Sequence, residues 1–124
     1  MTDEQSIVVA VLYKSCLKLA TFSGSQLTRV LDSASKKHGA IFLRFRAHPQ
    51  YRYSEVLCGV LMSLMLGGGL CMVGPSLKYQ LSARTQGSWG KKTYRSLSPH
   101  ERGLVDQVAT DFRKLVIGPR KLAK

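Results

Sequence analysis

The sequence predicts an α+β fold, a small antiparallel sheet packed by three to four helices in one compact domain. Three observations carry that expectation. Apolar and polar residues alternate with period two over 41–47 and 77–84. Apolar stripes with helical spacing occupy 27–34 and 104–116. Gly, Pro and Ser clusters punctuate the chain between these segments. At 124 residues the chain can bury one core, and its 44% hydrophobic and 21% charged content is that of a folded protein.

The first apolar run, Ile7–Phe22, holds two patterns. IVVAVLY has the β-branched content of a buried strand, whereas Lys14 and Lys18 sit four apart, as on one helical face. Asp3 and Glu4 suit a helix start, so a helix is expected. Ser23-Gly24-Ser25 breaks the chain, and Ser25 is placed to cap a helix over 26–38. Leu27, Val30, Leu31 and Ala34 form its stripe, Lys36 and Lys37 its last turn, and Gly39 its stop. Ala40–Ala47 then alternates cleanly, with Ile41, Leu43 and Phe45 on one face and Phe42, Arg44 and Arg46 on the other. A strand is expected there, ended by His48-Pro49-Gln50.

Val56–Val73 is uncharged and just long enough to raise a membrane span. Gly67, Gly68 and Gly69 oppose that reading, since each Gly costs a helix about 1 kcal/mol relative to Ala. Basic residues flank both ends and give no orientation signal. The expectation is a helix over 54–66, capped by Ser54 with Glu55 at its positive end, then a glycine break and a buried strand Leu70–Val73. Because it is apolar on nearly every side, that helix should be central in the core. Leu77–Ala83 alternates, Thr85–Gly90 reads as a turn, and Lys91–Leu97 returns as a paired strand. The sheet would thus use strands near 41–47, 77–84 and 91–97. Ser98-Pro99-His100-Glu101 is a capping box with Pro at N1. Leu104, Val105, Val108, Phe112, Leu115 and Val116 continue as a helix stopped by Gly118-Pro119, leaving a short basic tail, 119–124.

Charge is the main functional signal. Nineteen Lys and Arg face seven acids, a formal charge of +12. The excess is spread along the chain, and Val56–His100 contains no Asp or Glu at all. Such a balance points to an anionic partner: nucleic acid, a ribonucleoprotein or an acidic membrane. Cys16, Cys58 and Cys71 form no CxxC pair and read as small buried hydrophobes of an intracellular, reducing compartment. No secretory signal is expected. His38, His48 and His100 are too dispersed for a zinc pattern, so no metal or other cofactor is expected.

Catalysis finds little support. Asp3, Glu4, Glu55 and Glu101 occupy helix starts, and Asp106 and Asp111 suit a solvated helix face. No Ser/His/Asp or Cys/His set can be inferred, no phosphate loop or HExxH motif is present, and Gly67–Gly69 lacks the Lys-Ser/Thr of a nucleotide loop. Binding is therefore favoured over chemistry. Phe42, Arg44 and Arg46 would share one strand face, either open to stack bases and pair phosphates or packed beneath a helix. Lys78, Arg84, Lys91, Lys92 and Arg95, interleaved with Trp89 and Tyr94, suit contact with single strands or headgroups. Trp89 is alternatively a partner anchor or a cover for the core.

Two local resemblances follow from these residues. His38–Phe45 partly resembles the RNP1 strand of RNA-recognition motifs, on Gly39, Phe42, Leu43 and Phe45. His38, Ala40 and Ile41 depart from that pattern, and the preceding helix leaves no room for the fold's extra strand, so that motif is not assigned. Pro49–Val60, PQYRYSEVLCGV, is similar to a segment of rhabdovirus matrix proteins, over about a tenth of the chain. The PPxY-type motif of that family is absent. This resemblance implies a virion protein that self-associates and bridges ribonucleoprotein to anionic membrane. The leading expectation is non-enzymatic binding of RNA or a ribonucleoprotein through Arg44, Arg46, Arg52 and the basic residues of 78–95. A matrix-like homo-oligomer on an anionic membrane surface is the second reading, and a protein spanning at Val56–Val73 the third.

Overall fold

The computed structural model describes residues 4–17, 20–38, 40–47, 54–75 and 78–118, and shows an α+β fold. Helix α1 (Glu4–Ser15) lies at its centre. Ile7 through Leu12 are all buried, and helices from four later parts of the chain pack around them. An unbroken apolar run offers a helix no solvent face, so it must be enclosed on every side. That enclosure outweighs the strand preference of its Val and Ile residues. The helix ends where Cys16 adopts φ 53°, and Arg113 donates from Nη1 to the carbonyls of Ser15 (3.2 Å) and Cys16 (2.7 Å). A guanidinium there satisfies orphan carbonyls and complements the negative helix end.

Helix α2 (Gly24–Lys37) buries Leu27, Val30, Leu31 and Ala34, as its stripe requires. Its cap is Ser23 rather than Ser25: Ser23 Oγ accepts from the Gln26 N–H at 3.1 Å, and Gln26 Oε1 accepts from the Ser23 N–H at 2.8 Å. The expected strand after α2 is a 3-10 helix, Ala40–Phe45. Phe42 and Phe45, three apart, are both fully buried, which fits a three-residue turn. Strand alternation fails at Leu43, which is 54% exposed. Asp32 Oδ1 accepts from the Ala47 N–H at 2.8 Å and fixes the end of this segment against α2.

Helix α3 (Glu55–Leu66) has Ser54 as its N-cap, the Leu57 N–H donating to Ser54 Oγ at 3.2 Å. It buries Leu57, Leu61 and Leu64 but is not central, because Cys58, Met62 and Leu66 face solvent. The glycine break follows as expected. Gly68 has φ +82°, a conformation that side chains rarely adopt. A Cβ on Gly69 would lie 2.8 Å from Trp89 and 3.2 Å from Thr85 Oγ1, so this turn is packed shut rather than open to a phosphate. Strand β1 (Leu70–Val73) pairs antiparallel with β2 (Lys78–Leu81), in register Leu70↔Leu81 through Val73↔Lys78. Only Leu70 of β1 is buried. Phe22 bridges to Tyr79 and ties the chain ahead of α2 to β2.

The expected pairing of 77–84 with 91–97 does not occur. The partner of β2 precedes it, and the chain after Leu81 is helical: α4 (Ala83–Gln86), α5 (Ser88–Arg95) and α6 (Pro99–Ile117). Gly90, Tyr94 and Leu97, spaced by four and three, form the inward stripe that alternation obscured. Val56–Val73 is divided among a helix, a turn and a strand. No helix among the described residues is long and apolar enough to cross a membrane.

The capping box of α6 is as expected: the Glu101 N–H donates to Ser98 Oγ at 3.2 Å and Glu101 Oε1 accepts from the Ser98 N–H at 3.0 Å. Ser98 is exposed, so Ser98→Ala removes the cap and little else. The expected result is a loss of about 0.5–2 kcal/mol in urea unfolding with an unchanged m-value.

Candidate polyanion interface

Three of the basic residues of the acid-free stretch are gathered by α5. Lys91, Lys92 and Arg95 fall within about 100° of helical rotation and all three are exposed. None has an ion-pair partner among the described residues. The inward side of α5 is held by close packing: Gly90 lies against Tyr13 and the Thr85 carbonyl, and Tyr94 lies 6.1 Å from the Tyr13 ring.

The nearby acid is engaged elsewhere. Asp106 Oδ1 accepts from the Tyr94 hydroxyl at 2.8 Å and lies 3.9 Å from Lys14 Nζ. Tyr94 has its pKa raised, first by burial of the phenol, then by the hydrogen bond to Asp106 and that carboxylate's charge. Tyr13 acts in the same direction and Arg102 opposes it. Arg102 therefore stands close enough to Tyr94 to act on it, a basic neighbour that sequence reading missed. Its signal, Arg102 in the first turns of α6, is visible only once α5 and α6 are known to meet.

The other expected site residues separate. Phe42 is fully buried beside α2, its ring centroid 6.3 Å from that of His38, and offers no stacking face. Arg44 and Arg46 are exposed, but Arg44 lies on the 3-10 helix and Arg46 just after it, not on a common strand face. Arg44 Nη1 is 3.3 Å from Glu4 Oε1, an exposed pair of small energetic weight. Arg52 lies outside the described residues. Lys78 is exposed on β2. Arg84 stacks on the half-buried Trp89, its guanidinium 5.2 Å from the ring centroid, and donates to the Gly67 carbonyl at 3.3 Å. Trp89 thereby covers the core under Arg84, while Lys14 sits 4.9 Å over the Tyr94 ring. Among the described residues, then, the aromatics of the expected site are engaged within the chain: Phe42 is buried, Trp89 carries Arg84 and Tyr94 carries Lys14.

The three cysteines are free and exposed, not buried hydrophobes. No group of three His, Cys, Asp or Glu among the described residues is arranged to hold a metal ion. Neither family models, curated proteins nor solved structures give a match to this chain.

Proposed function

We propose that this chain is a non-enzymatic binding protein for RNA or a ribonucleoprotein, engaging phosphates through the outer face of α5. The observation that carries the reading is that Lys91, Lys92 and Arg95 share one exposed face with no described ion-pair partner, while Asp106 is committed to Tyr94 and Lys14. Three such cations lie within about one and a half helical turns, and their binding to phosphates should be electrostatic and sequence-tolerant. Arg84, stacked on Trp89, and Arg102, near Tyr94, add positive charge around α5.

The test is fluorescence anisotropy with a labelled single-stranded RNA across a salt series. The triple variant K91E/K92E/R95E should lose affinity and flatten the slope of log K against log salt by about 2, since each phosphate contact on a single strand contributes about −0.7. All three side chains are exposed, so the variant should keep its fold by circular dichroism. An unchanged slope in a folded variant would remove α5 from the interface. Anionic liposomes run in parallel separate the matrix-like reading, and binding to them without RNA binding would replace this proposal.

A further inference from the structure

We infer that the outer face of α3 is a self-association surface, pairing two copies of this chain about a twofold axis with their α3 helices antiparallel. Glu55, Gly59, Met62 and Leu66 follow spacings of four, three and four, which align them along one side of the helix. Leu57, Leu61 and Leu64 occupy the opposite side and are buried. The outer side is apolar nonetheless: Met62 is 65% and Leu66 84% exposed. In a chain of net charge +12, a stripe without Lys or Arg is where two copies can meet without bringing their excess positive charges together. Gly59 within the stripe, with Cys58 and Ser63 beside it, leaves room for Met62 and Leu66 of the other copy to seat there.

Charge selects the orientation. Glu55 opens the stripe, is exposed, and has no ion-pair partner among the described residues. At the other end of α3, Arg84 is held against the Gly67 carbonyl. An antiparallel pair therefore places Glu55 of each copy beside Arg84 of the other, twice over by symmetry. It also sets the opposed helix dipoles side by side. A parallel pair would set Glu55 on Glu55 and Arg84 on Arg84. This inference does not depend on the polyanion reading.

Sedimentation equilibrium in reductant, which prevents disulfide formation through Cys58, tests it. The wild-type chain should show a monomer–dimer equilibrium. Met62→Asp and, independently, Leu66→Asp should weaken it by at least about tenfold, because the first strands a charge in the paired face and the second also sets a carboxylate against Glu55 of the other copy. Both positions are exposed in the single chain, so circular dichroism should show the native fold. E55K and R84E should each weaken the dimer, and the double variant E55K/R84E should recover most of the loss. A monomer at every concentration, or dimers indifferent to Met62→Asp and Leu66→Asp, would overturn the surface. Charge reversals that do not compensate would overturn the antiparallel arrangement. A monomer that binds anionic liposomes through Met62 and Leu66 would assign the face to lipid instead.

Discussion

Phe42→Ala is expected to remove about 3–5 kcal/mol of folding stability while leaving RNA affinity unchanged in whatever fraction remains folded. Phe42 has no exposed surface and packs with Phe45 beneath α2, so truncation opens a cavity in the core. The neighbouring Leu43→Ala should stay within about 0.5 kcal/mol of wild type, because Leu43 is 54% exposed. The pair distinguishes a 3-10 turn from a strand. On a strand, Phe42 would share its face with Arg44 and Arg46, and its loss would reduce RNA binding in a stable protein. Urea midpoints for both variants, with anisotropy measured well below those midpoints, give both readings. A stable F42A with weakened RNA binding would restore the strand and its stacking face.

The features legible in the sequence are those determined over a few residues. Ser98 and Glu101 form their box, and Ser54 its cap, because a helix start needs only a side chain three residues from a free N–H. The glycine break was legible for the same reason, and Leu70–Val73 was legible as a strand but not as the largely exposed one it is, since only Leu70 is buried. What failed needed distant partners. Residues 41–45 satisfy period two and period three together, and only α2 decides between them. Nothing local marks which apolar side of α3 faces inward, so its centrality was misjudged and α1 holds that place. The α5 cations show the same limit in a useful way. A strand would send Lys91 and Arg95 to one face and Lys92 to the other. The helix brings all three to one face, an arrangement that the expected strand would not have given.

Gly90→Ala should be among the most damaging single-methyl changes in this chain, with an expected loss of about 3 kcal/mol. A Cβ at Gly90 would fall onto the Thr85 carbonyl oxygen and lie 2.8 Å from Tyr13 Cβ and Cδ1. Neither neighbour can yield easily. Thr85 is fully buried, and its hydroxyl donates to the Gly69 carbonyl at 2.8 Å. Gly69 is in turn hemmed in by Trp89, so displacing Thr85 disturbs the turn between α3 and β1. Tyr13 belongs to α1, whose displacement would open the core itself. Gly103→Ala is the control: a Cβ there meets nothing within 4 Å, and a helix gains up to about 1 kcal/mol when Gly becomes Ala. Because the α5 cations act together only while that helix stays docked, G90A should lose stability and RNA affinity in parallel. K91E/K92E/R95E should instead lose affinity alone. A fully stable G90A would show that α5 does not rest on α1 as described, and the gathering of its three cations would then lack a foundation.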